Sequence, residues 1–135
     1  MKNKISSPYS EKVLRLFKNP KNVGEIKNAD GVGEVGNPIC GDRMKVFIKV
    51  AKNKKGEEII EDIKYQTFGC VAAISSSEAL CELAKGKKIK DVLKITQSDI
   101  IKYLGKLPKI KFHCSVLGAE TLHDAINDYY SKKQK

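Results

Sequence analysis

The chain has 135 residues, enough for one domain of ordinary size and too few for two. Its 41% hydrophobic and 31% charged residues are the balance of a folded domain rather than a disordered segment, and no apolar run nears the ~20 residues of a membrane-spanning helix. Lys and Arg outnumber Asp and Glu by 26 to 16, a formal net charge of +10. Only Arg15 and Arg43 are arginines and tryptophan is absent, so the forks that read bases and the rings that stack on them are scarce. The surface reads as lysine-biased and solvated, suited at most to acidic protein partners, with neither nucleic acid nor membrane as a target. The N-terminal stretch has no hydrophobic signal core, which predicts a cytoplasmic protein with reduced thiols.

Residues 1–135 are expected to form a single domain. Ser7 and Pro8 suggest a helix start, with Tyr9, Val13, Leu16 and Phe17 on one face and Asn19-Pro20 as the stop. Residues 22–40 are rich in glycine, with a short strand expected over Val32–Val35. Met44, Val46, Ile48 and Val50 then alternate with Lys45 and Lys49, the pattern of a half-buried strand. A polar turn over 51–57 leads to a second strand, with Ile59, Ile63, Tyr65 and Thr67 on its inner face. After Cys70 the periodicity becomes helical: Ala73, Leu80 and Ala84 form a stripe that ends at Gly86. A short helix follows around Ile89–Leu93. Ser98 is expected to cap another carrying Ile100, Tyr103 and Leu104, and Ser115 a last one carrying Ala119, Leu122, Ile126 and Tyr130. Strands first and helices after predict an α+β fold, a small antiparallel sheet of about three strands covered by helices on one side.

Four cysteines, Cys40, Cys70, Cys81 and Cys114, form no Cys-x-x-Cys pair, which disfavours zinc knuckles and thioredoxin-like motifs. Cys40 stands in Pro38-Ile-Cys-Gly-Asp42, Cys70 follows Gly69 before a helix, and Cys114 lies between His113 and Ser115. Helix starts stabilise thiolates, and neighbouring glycines let the backbone approach whatever the sulfurs bind. Cys81 is mid-helix beside the apolar stripe and reads as a core residue; His123 reads as a surface histidine. From residue chemistry alone two readings stay open: a metal or cluster site, or a thiol nucleophile.

Tyr9-Ser-Glu-Lys-Val13, Asn19-Pro-Lys-Asn-Val-Gly24, Cys40-Gly-Asp42, Thr67-Phe-Gly-Cys70 and Lys111-Phe-His-Cys-Ser115 occur here in order. In these segments, from Tyr9 to Tyr130, the chain resembles the IscU/NifU-type iron–sulfur cluster assembly scaffolds. The short run from Cys70 to Cys114 and the histidine set it apart from the SufU branch. The resemblance implies a non-enzymatic scaffold that builds a transient [2Fe–2S] cluster and gives it to apo-proteins. It implies Cys40, Asp42, Cys70, His113 and Cys114 as ligands, Cys114 as persulfide acceptor and Lys111 as an auxiliary charge. It further implies ferrous iron as substrate, zinc as an occupant of the same ligands, and a cysteine desulfurase, a ferredoxin-type electron donor and apo-iron–sulfur acceptor proteins as partners. A homodimer or a chaperone-bound form releases the cluster in such proteins. The segment that an Hsp70-type chaperone recognises there reads Leu107-Pro-Lys-Ile-Lys111 here, with a lysine in place of a second proline. The alternative is a structural or regulatory zinc protein using the same Cys, His and Asp residues.

Overall fold

A computed structural model describes residues 10–36, 43–67, 71–105 and 113–133, with backbone alone at 71–72, 113–117 and 133. The first helix, α1 (Glu11–Lys18), starts one turn later than Ser7-Pro8 suggests. Ser10 caps it, its Oγ accepting from the Val13 amide at 3.0 Å, while Ser7 lies outside the described residues. Val13 and Leu16 are buried as expected; Phe17 is not and faces solvent at 37% exposure. Asn19 ends the helix.

The chain then crosses the sheet. Asn22 and Gly24 bracket Tyr65 by hydrogen bonds of 3.0 and 2.9 Å, adding a short parallel bridge to one sheet edge. The Asn28 carbonyl accepts from Lys49 Nζ at 2.9 Å, and the Asp30 amide donates to the carbonyl of Ile48 on the central strand at 2.8 Å. Strands β1 (Gly31–Gly36), β2 (Arg43–Lys52) and β3 (Glu58–Thr67) form an antiparallel sheet in the order β1-β2-β3. Met44, Val46 and Ile48 are buried, as their alternation requires. On β3 the buried residues are Ile60, Ile63 and Tyr65, so Ile60 rather than Ile59 takes the core position. The cause is a bulge: Lys49 faces Asp62 and Val50 faces Ile60, which leaves Glu61 as the extra residue and flips the alternation.

Helix α2 (Val71–Ala84) is the central helix, buried on nearly all sides, with Ser75, Ser76, Ser77 and Glu78 as enclosed as Ala79 and Leu80. Ser75 Oγ donates to the Val13 carbonyl at 2.9 Å, which lets α1 pack closely. Gly86, at φ +82°, turns the chain back so that its amide donates to the Ile60 carbonyl and the Lys87 carbonyl accepts from the Ile60 amide, a bridge that sets Lys88 against Ile59. Short α3 (Ile89–Val92) follows, then α4 (Gln97–Leu104). Thr96, not Ser98, caps α4, because Thr96 and Asp99 satisfy each other's backbone amides in a reciprocal box. The long α5 (His113–Lys133) begins two residues before Ser115 and lies along β1. A Cβ at Gly31 or Gly33 would sit 2.2 Å from the Ala125 carbonyl oxygen or 2.3 Å from that of Thr121, so helix and strand touch backbone to backbone. Asp124 and Asp128, one turn apart on α5, accept from the amides of Glu34 and Val32 at 3.1 and 2.9 Å and cover the free edge of β1. One core joins sheet and helices through Val13, Ile48, Ile63, Leu80, Ile100, Leu122 and Ile126.

Candidate functional site

The elements that flank the cysteine segments all end at one end of the sheet. Gly36, the last residue of β1, pairs with Arg43, the first of β2, and Met44 pairs with Thr67, the last of β3. Thr67 Oγ1 donates to the Arg43 carbonyl at 2.6 Å. Ser77 Oγ lies 3.5 Å from Met44 Sδ, so the first two turns of α2 stand over the same end. Helix α5 runs antiparallel to β1, with Gly31 against Ala125 and Gly33 against Thr121. At ~3.4 Å per strand residue and 1.5 Å per helix residue, this pairing brings the first turn of α5 level with Gly36. Four of the fold's chain ends therefore meet there: β1, β2, the β3–α2 junction and the start of α5.

Of the expected site residues, Cys40, Asp42, Cys70 and Lys111 lie outside the described residues, as does Leu107–Lys111. His113 and Cys114 open α5, where the backbone alone is described. Chain connectivity assigns Cys40 and Asp42 to the link between the paired residues Gly36 and Arg43, and Cys70 to the link between Thr67 and Val71. Among the described residues no three His, Cys, Asp or Glu side chains gather as a metal site would require. Arg43 and Glu34 form a 3.5 Å ion pair at this end, with side chains 66% and 53% exposed, too open to add much binding energy.

The family model described as the NifU-like N terminal domain matches residues 8–135. The chain belongs to that family. Among similar proteins, the NifU-type domain here is 55% identical over 127 residues to "Iron-sulfur cluster assembly scaffold protein IscU 1" of Archaeoglobus fulgidus, spanning 94% of this chain and 80% of that one. It is 50% identical over 129 residues to the protein of the same description, IscU, from Aquifex aeolicus, with 96% and 80% covered. Against IscU of Escherichia coli it is 45% identical over 129 residues, with 93% and 97% covered. The N-terminal NifU-like protein of Brucella abortus superposes with a TM-score of 0.72 at 15% identity over 91% of this chain and 94% of that one, a likeness of fold.

Within this NifU-type domain Cys81 stands apart from the other three cysteines. It is 1% exposed in the middle of α2, and burial, followed by the nearby charge of Glu78, pushes its thiol well above the ordinary value. A protonated, enclosed thiol neither ligates nor attacks, in agreement with its reading as a core residue. His123 differs from a plain surface histidine: it is half-buried, and its Nε2 is enclosed with no partner among the described residues. Sequence reasoning passed over Glu78, which is 1% exposed near this end of the molecule. Its signal was available, because it is the one charge in the otherwise apolar and serine-rich run from Val71 to Cys81.

Proposed function

We propose that this chain is a scaffold on which a [2Fe–2S] cluster is assembled and then passed to apo-proteins. One observation carries the reading. The segments bearing Cys40, Cys70 and Cys114 join elements that end together, in a chain 45–55% identical to proteins described as cluster assembly scaffolds. Three thiolates with His113 and Asp42 supply soft donors for a cluster and one hard, exchangeable donor. Asp42 captures ferrous iron before sulfide arrives, and its weak hold on the finished core eases release to a recipient thiolate. Lys111 balances the charge of Asp42 or of a thiolate when iron is absent. The same donors suit tetrahedral zinc.

Sulfur arrives from a cysteine desulfurase as a persulfide. The Cys114 thiolate attacks the outer sulfur, a new S–S bond forms at Cys114, and the desulfurase cysteine leaves as a thiolate. Each transferred sulfur then takes two electrons to become sulfide. For a pair of sulfurs, two of the four electrons come from the two ferrous ions and two from a ferredoxin-type donor. The chain catalyses no turnover of its own. Residues 1–135 work as one domain in the cytoplasm, and a homodimer or an Hsp70-type chaperone acting on Leu107–Lys111 assists release.

Anaerobic incubation with ferrous iron, cysteine and a desulfurase should produce the visible absorption of a [2Fe–2S] cluster that moves to an added apo-ferredoxin. A chain that takes up zinc but never develops the chromophore would instead be a zinc protein.

A further inference from the structure

A buried carboxylate holds the junction from which Cys70 springs. Glu78, in the second turn of α2, accepts from the Asn22 amide and the Asn22 side-chain nitrogen at 2.9 Å each. It also accepts from the Tyr65 hydroxyl at 2.8 Å. Tyr65 is itself fixed on both sides by backbone bonds to Asn22 and Gly24 of 3.0 and 2.9 Å. These five hydrogen bonds form a closed ring that links β3, α2 and the segment crossing the sheet. Tyr65 is 1% exposed, and burial, followed by the hydrogen bond to Glu78, holds its hydroxyl in the protonated, donating form.

The ring lies where it bears on the site. Tyr65 stands two residues before the end of β3 and Glu78 is the eighth residue of α2, so the clamp closes the chain from 66 to 77, which contains Cys70. For stability alone, an apolar side chain would fill the same volume without the cost of burying a carboxylate. What an apolar side chain lacks is direction: only an acceptor with two oxygens meets three donors from two elements and sets their relative placement.

We infer that Glu78 is a positioning residue, which through Tyr65 and Asn22 fixes the β3–α2 junction and with it the place of the Cys70 sulfur among the ligands. This rests on the proposed role of Cys70 as a ligand. Glu78 acts at one remove from the ligand, so its loss should change metal affinity at the low end of the about 10- to 100-fold seen when a ligand's own hydrogen-bond partner is removed.

The test is anaerobic titration of the full chain with cobalt(II), read by the thiolate charge-transfer and d–d bands. Cys70→Ser should lose charge-transfer intensity. Glu78→Gln should bind cobalt about tenfold more weakly and shift the d–d bands. Tyr65→Phe, which keeps the ring and loses only the hydroxyl, should change both in the same direction by less. Ile60→Val lowers stability in the core away from the junction and should leave affinity and spectrum as in the wild type. If Cys70→Ser is impaired while Glu78→Gln and Tyr65→Phe match the wild type, the positioning role is overturned and the ligand survives. If Cys70→Ser itself binds normally, the ligand assignment falls and the inference with it. Should Glu78→Gln not fold, Tyr65→Phe decides alone, and a wild-type spectrum there overturns the inference.

Discussion

The two ends of the sheet are built to opposite plans. At the hairpin end the turn is closed by hydrogen bonds of its own. Asn53 Oδ1 accepts from the amides of Lys55 and Glu57 at 2.9 and 3.0 Å, and Gly56, at φ +82°, returns its amide to the Asn53 carbonyl. Glu57 is paired with Lys88 at 3.0 Å, which ties the hairpin to the α2–α3 connection. At the other end the described strand ends are joined by links that carry Cys40, Asp42 and Cys70, and the one ion pair there among the described residues is exposed. The hairpin end is thus closed by its own turn, whereas the opposite end is held from beneath by the Glu78–Tyr65–Asn22 ring and leaves its links to the proposed site. Substitutions at the two ends should therefore separate stability from metal binding.

The largest effect is expected between the ends, where α5 lies on β1. Gly33→Val places a side chain 2.3 Å from the Thr121 carbonyl and 2.5 Å from the Ala125 amide, with backbone on both sides and nothing able to yield. Denaturant unfolding should show a loss of about 3 kcal/mol or more, since overpacking against backbone leaves no rotamer of escape. Because the same contact sets the start of α5 level with Gly36, metal binding should fall too, making this the variant in which the two ends fail together.

A smaller and cleaner effect belongs to the hairpin. Asn53→Ala removes the acceptor of two backbone amides and should cost about 1–2 kcal/mol in urea unfolding. Iron uptake per folded molecule should stay at the wild-type level. A loss of metal binding without loss of stability there would mean that the ends are not independent.

The smallest effect is electrostatic. The Lys88 ammonium, and after it the Asn53 side chain, hold the Glu57 carboxyl below the usual carboxylate range. A carboxyl lowered on folding adds stability above its unfolded pKa of about 4.3 and loses it as pH falls through its folded value. The difference in melting temperature between wild type and Lys88→Ala should thus be greatest near neutral pH and shrink below about pH 4. A difference that persists undiminished in acid would show that Lys88 acts by packing.

Much of this was legible in the chain. The alternation from Met44 to Ile48 and the helical stripes of α4 and α5 appear as read, since each depends on local period. The caps lie two and three residues from the expected positions: Thr96 rather than Ser98 caps α4, and Ser10 rather than Ser7 caps α1. Capping depends on which hydroxyl meets an amide three residues on, and several serines compete. The Glu61 bulge and the partners of Glu78 have a different cause: both are set by what lies across the sheet or beside the helix, although the place of Glu78 as the one charge in its run is legible in the chain. At the site, the place of Cys40, Cys70 and Cys114 beside a glycine or a helix start is legible directly, whereas the common end of the elements that flank them follows from the strand order.

In the proposed scaffold Cys40, Cys70 and Cys114 form one cluster site while Cys81 belongs to the core. Four Cys→Ser variants reconstituted in parallel under anaerobic conditions, and compared by visible absorption and iron and sulfide content, test it most directly. The account predicts that Cys40→Ser, Cys70→Ser and Cys114→Ser each lose the cluster and that Cys81→Ser keeps it. A Cys81→Ser protein that stays folded yet loses the chromophore as completely as Cys40→Ser would contradict it.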